Sequence, residues 1–199
     1  MTRPTAWADG PPDRTEGKAR KGSSVVDFYR GALEEHEPNI HPDAWIAPGA
    51  VVVGQVTIGR ASSVWYGCVL RGDDDEITVG EECNIQDQCC LHADPGEPTV
   101  LEDRASLGHK AMVHGAYIER EALIGVGAIV LGRARVGAGS LVAAGAVVTP
   151  GMQIPPGTLV AGVPAKVIRE VNDADKGMIA RTPSNYVAKA KRHREARWY

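Results

Sequence analysis

Two histidines five residues apart in LGHKAMVHG (107–115), and a third closing CCLH (89–92), stand in a chain otherwise rich in small and β-branched aliphatic residues. Neutral imidazole is the commonest metal ligand in proteins, and three imidazoles with an open fourth position suit a hydrolytic or hydrating zinc ion. Nearby, VLRGD (69–73) offers Arg71 and Asp73 for a charge-assisted pair, and NIQDQ (84–88) offers the amides of Asn84 and Gln86. Whether these groups meet depends on the elements that carry them.

Those elements are read from a repeat. Large aliphatics recur every six residues at Ile46, Val52, Ile58, Val64 and Leu70, at Val79, Ile85 and Leu91, and at Leu101, Leu107 and Val113. After a slip of one residue the series continues at Ile118, Ile124, Val130, Val136, Val142, Val148, Ile154 and Val160. Gly or another small residue often follows the aliphatic. Ala, Cys, Val or Ser usually stands four places after it. A sustained hexad predicts an all-β solenoid, a parallel β-helix in which the recurring aliphatic points inward and stacks on its counterpart one coil away. Three extra residues within GDDDE and four within ADPGEPT interrupt the frame and are expected to bulge out as loops, where function tends to sit.

The frame then serves as a ruler. With three hexads to a coil, as resemblance to the hexapeptide-repeat proteins implies, Leu91 and Val113 lie on one face in adjacent coils, so His92 and His114, which follow them, point outward and stack about 4.8 Å apart. Arg71 joins the same outward column. His109 stands two places after Leu107, on the preceding face with Gln86, and a prism-shaped subunit cannot bring it to the ion of the other two. A neighbouring copy in a trimer can. His36, His41 and His193 fall outside this constellation.

The composition narrows the function classes. The 22 basic and 25 acidic residues give no field for nucleic acid or an anionic membrane. No window approaches the ~18 apolar residues of a membrane span, and the first 25 residues lack a signal peptide's apolar stretch, so a cytoplasmic protein is expected. Residues 1–24, rich in Pro, Gly and charge, are expected to be disordered. Residues 25–171 form the β-helix domain. Residues 172–199 carry a helix capped at Ser184 that packs along the solenoid, with its basic run solvated. Cys68, Cys83, Cys89 and Cys90 form no CxxC pair and are expected to be small buried fillers; the repeat places the first three at the fourth position of a hexad.

VLRGD, NIQDQCCLH (84–92) and GHKAMVHG (108–115) together resemble the motifs of the gamma-class carbonic anhydrases, and the resemblance runs from about Tyr29 to Arg169, including GVPAKVIR near its end. It implies left-handed coils of three hexads each, a homotrimer, and zinc at the subunit interfaces. His92 and His114 would come from one chain and His109 from the next. Arg71 and Asp73 would form an ion pair between subunits, and Asn84 and Gln86 would lie beside a metal-bound water, with carbon dioxide as substrate and bicarbonate as product. Iron or cobalt suits the same imidazoles. The family's best-studied form has a longer acidic loop with a glutamate as proton shuttle. Here Asp94, Glu97 and Asp74 are the acids available. Tyr186, or Asn185 beside it, is expected to reach the site from the terminal helix. Two other readings compete: a hexapeptide acyltransferase using coenzyme A, and a metal-stabilised trimer with a scaffold role.

Overall fold

The structure is a computed structural model that describes residues 27–196; the expectation for residues 1–24 lies outside them. The chain winds into a left-handed parallel β-helix of hexapeptide repeats, with three flat faces and one terminal helix. Face I stacks strands Trp45–Ile46, Ser63–Val64, Asn84–Ile85, Ser106–Leu107, Leu123–Ile124, Leu141–Val142 and Thr158–Ala161 in parallel, and Lys166–Glu170 closes it antiparallel. Face II includes Cys90–His92, Met112–His114, Ile129–Val130 and Val147–Val148. Face III includes Thr99–Leu101, Tyr117–Ile118, Arg135–Val136 and Gln153–Ile154. The long strands Val51–Ile58 and Val69–Val79 turn the corner from II to III and belong to both.

The hexad aliphatics form the core. From Val52 to Val160 every one of them is at most 3% exposed, and only Ile46, at the open end, is partly so. The register repeats the arithmetic of the sequence, pairing Leu70 with Leu91, Leu91 with Val113, and Ile85 with Leu107. The small residue after the aliphatic also has a reason. A Cβ on Gly125 would stand 2.5 Å from the backbone nitrogen of Ala144, and one on Gly137 2.4 Å from that of Pro156, because adjacent coils approach closely at this corner. Three places after the aliphatic the backbone is left-handed at each I–II and III–I corner from Gly49 to Gly157. Glycine fills that place at 127, 139, 145 and 157, whereas Glu82, Gln88, Arg104, Lys110 and Glu121 fill it in the earlier coils.

The GDDDE insertion lies within one strand, Val69–Val79, yet among the described residues Asp73–Glu76 have no ladder partner and stand opposite Gln55 alone, so the extra residues bulge out as expected. Two expectations need correction. The helix spans Asp173–Arg194 and is capped by Asn172, not Ser184. Asn172 and Asp175 form a reciprocal capping box, and the helix runs through Pro183 because Ile179, Pro183, Tyr186 and Ala190 make one buried stripe against face I. Apolar packing outweighs the local helix-breaking signal. Cys90 is exposed, because the residue just before an inward aliphatic points out; Cys68, Cys83 and Cys89 are buried, and burial pushes the Cys83 thiol up to about 12.

Candidate functional site

The polar residues gather in two places. On face II the strands set Arg71, His92 and His114 in one outward column, in register through three coils. His92 Nδ1 and His114 Nε2 face each other at 3.0 Å. Behind His92, its Nε2 meets Asp73 Oδ1 at 2.9 Å and Asp74 Oδ2 at 3.5 Å. Behind His114, Asp94 Oδ2 stands 3.7 Å from Nδ1. Within this chain Arg71 pairs with Asp73. Burial raises the pKa of the Asp73 carboxyl, but hydrogen bonds from Arg71 and His92 outweigh it and hold the group below its usual range.

The second gathering lies at the corner of faces I and II and beneath the terminal helix. His109 Nδ1 meets Asp87 Oδ2 at 2.8 Å, and its side chain is 47% exposed. Asn84 is fully buried, donates to Ser106 Oγ at 2.7 Å, and accepts from Gln86 Nε2 at 3.0 Å, while the Gln86 side-chain oxygen has no hydrogen-bond partner among the described residues. Tyr186 packs edge-on against Trp65. Its ring sits between a cavity of about 340 Å³ bordered by His109, Asp87 and His193 and an apolar groove of about 390 Å³ bordered by Gln86 and Met178. Burial, then the nearby Asp87 and Cys89, push its phenol up, so it stays protonated and able to donate. Asn185 is exposed. His193, which had no assigned role, takes part in the helix contact, with Nδ1 2.8 Å from the Tyr66 hydroxyl.

One chain therefore unites His92 with His114, and His109 with Gln86, Asn84 and Tyr186 around a corner, but it does not bring His109 to the other two. Among the described residues, the groups with metal-ligand spacing are His92, Asp94 and His114, and Asp73, Asp74 and His92. Sequence reasoning missed Asp87 as the partner of His109. It stands at the same coil-to-coil offset that links His92 to His114, and extending the ruler one more place would have found it. Glu97, considered as an acid for proton transfer, is instead turned against Arg133, 3.2 Å away.

The donor set fits a cation. In the tautomers with His92 protonated on Nε2, toward Asp73, and His114 protonated on Nδ1, the lone pairs of the inner nitrogens oppose each other. Such a pair needs a proton or a cation between them. Two zinc–nitrogen bonds of about 2.0–2.1 Å at a tetrahedral angle place their nitrogens ~3.3 Å apart, close to what is seen. Carboxylates behind metal-binding imidazoles are the usual means of fixing tautomer and orientation.

Comparison with known proteins sets this geometry in context. Residues 37–72 match the family described as bacterial transferase hexapeptide (six repeats). Carbonic anhydrase from Geobacillus kaustophilus is 40% identical over 152 residues, which cover 76% of this chain and 84% of that protein. Gamma carbonic anhydrase 1, mitochondrial, from Arabidopsis thaliana is 37% identical over 182 residues, covering 84% of this chain and 66% of the plant protein. Among solved structures, a hexapeptide transferase family protein from Anaplasma phagocytophilum superposes with a TM-score of 0.79 at 36% identity, over 82% of this chain and 96% of that one.

Proposed function

Because the chain belongs to the gamma carbonic anhydrase family, we propose that it reversibly hydrates carbon dioxide to bicarbonate at a zinc site shared between chains of a homotrimer. The observation that carries this reading is the opposed nitrogen pair of His92 and His114, 3.0 Å apart with aspartates behind both rings. The third ligand is His109 of the neighbouring copy, oriented by its own Asp87. When bound, zinc supplies the Lewis acidity that lowers the pKa of water from 15.7 to about 7.

The chain's own residues supply orientation and proton handling. Gln86, fixed through Asn84 and Ser106, offers its free carbonyl oxygen to the O–H of the attacking water and so directs an oxygen lone pair at the carbon of carbon dioxide. Tyr186, kept protonated by burial, donates to the oxygen on which negative charge develops. Asp74, exposed and 3.5 Å from His92, passes the released proton to buffer. Arg71 holds Asp73 ionised behind His92. The free thiols fit a reducing compartment such as the cytoplasm, and among the described residues no helix is long and apolar enough to cross a membrane.

Stopped-flow hydration on protein of known metal content tests the proposal. Hydration that follows metal occupancy and disappears in His114→Ala is the expected result; full occupancy with hydration at the buffer rate overturns it and points to an assembly role. Coenzyme A-dependent acyl transfer is a second reading, favoured by the Anaplasma protein's description and by the apolar groove beside Gln86. Acetyl transfer that survives chelation would select it.

A further inference from the structure

The short loop after His92 holds an acid in a fixed place. Asp94 and Glu97 face each other across an isolated antiparallel bridge, and the Glu97 N–H donates to the Asp94 carbonyl at 2.8 Å. The Gly96 N–H donates to Asp75 Oδ2, one coil away, at 2.8 Å. The Glu97 side chain lies in a notch beside Gly115 and Gly132: a Cβ on Gly132 would stand 2.4 Å from its Oε2, and Arg133 closes the notch from outside. Thr99, fully buried, ties the loop's far end to His92 by donating to its carbonyl and accepting from the Gly115 N–H. A six-residue excursion is thus tied at both ends and in the middle.

The effect of these ties is to hold Asp94 over His114. Its carboxylate oxygen, 3.7 Å from Nδ1, is too far for a hydrogen bond, so the carboxylate is not committed to the ring and is available to an ion held at this pair. One ligand atom from each of His92, Asp94 and His114 lies within 4.8 Å of the others, with His92 buried and the other two half-buried. The other acidic grouping, Asp73 and Asp74 with His92, is more exposed, and Arg71 already neutralises Asp73.

We infer that His92, Asp94 and His114 form a metal site complete within one chain, which captures the ion before a neighbouring copy brings His109 to it. Two imidazoles and one carboxylate with open positions suit zinc and ferrous iron. This rests on the reading of the histidine pair as a metal site, but not on hydration or trimer formation. Asp94 is then a ligand in the free chain, and the loop that carries it is a device for loading the ion.

The test is Co2+ binding by equilibrium dialysis on the full chain, with d–d absorption as the readout of coordination, in wild type, His109→Ala and His109→Ala/Asp94→Asn. The expected result is one Co2+ per chain in His109→Ala, and affinity more than about 100-fold weaker in the double variant, beyond the ~10–100-fold that losing an outer hydrogen-bond partner produces. A folded His109→Ala chain that takes no Co2+ overturns the inference and leaves the shared three-histidine site standing. Equal affinity in the single and double variants also overturns it. Should His109→Ala fail to fold by circular dichroism, wild type and Asp94→Asn at dilutions where the chain is monomeric give the same readout. Hydration is not measured here, so failure of the anhydrase reading shows separately in stopped flow.

Discussion

The coils that carry the site and the coils that follow them obey one repeat in two manners. From Ile118 to Val160 the hexad runs without insertion, and the left-handed corner is glycine at 127, 139, 145, 151 and 157. From Leu70 to Val113 two insertions break the frame, and Glu82, Gln88, Arg104 and Lys110 occupy the same corner at a cost of ~1–2 kcal/mol each relative to glycine. Gln88 and Lys110 directly follow Asp87 and His109, so the strained corners carry the site's polar groups. Arg133, the one non-glycine corner after Glu121, closes the notch around Glu97 and so serves the same site from the regular half. The regular coils supply length and rigidity; the irregular ones give up some stability to present side chains.

That contrast can be pressed hardest at the histidines. His92→Ala is expected to remove metal and bring hydration to the buffer rate while the β-sheet circular dichroism signal persists; retained hydration would dissolve the distinction. In the regular half, Ile124→Ala should do the reverse, costing about 2–5 kcal/mol in denaturant unfolding while metal content stays unchanged. Chelation should lower the melting temperature more at low protein concentration than at high, because a metal held between chains couples loading to assembly. At the corners, Gly145→Val should cost ~1–2 kcal/mol or more, since φ is 68° there, whereas Lys110→Gly should raise stability by up to about 1 kcal/mol, the relief of the corner less the added chain entropy of glycine.

The smallest effect concerns the helix that covers face I. Hydrogen bonds from Arg169 and from the Asn172 N–H hold the Asp175 carboxyl below its ordinary value. Its stabilisation of the capping box is therefore fully present above the unfolded pKa of about 3.9 and is lost as pH falls through the lower folded value. Tryptophan fluorescence of Trp45 and Trp65, which pack near the end of that helix, should report loosening in this acid window. Asp175→Asn should show no such step.

The fold was legible because the hexad is covalent arithmetic: eighteen residues per coil plus any insertion gives the register of Leu70, Leu91 and Val113 directly. The face II pair followed from the same count. Other features turned on packing that a linear pattern does not encode. Asn172 reads as one more loop residue until the stripe of Ile179, Pro183, Tyr186 and Ala190 is seen against Leu123, Leu141 and Trp65. Asp87 stands two places after Ile85, as His109 does after Leu107, so the same count places the two side by side.

The last strand bears on whether the molecule has a finite size at all. A solenoid of parallel coils exposes at its ends unpaired backbone on which a further chain could stack, and head-to-tail stacking that does not close grows into a filament. Lys166–Glu170 returns antiparallel on Thr158–Ala161, is exposed along its length, and carries Lys166, Arg169 and Glu170. Its reversed direction offers an incoming first coil no parallel register to continue. Five residues of hairpin thereby close face I at one end with a strand that runs against the coils.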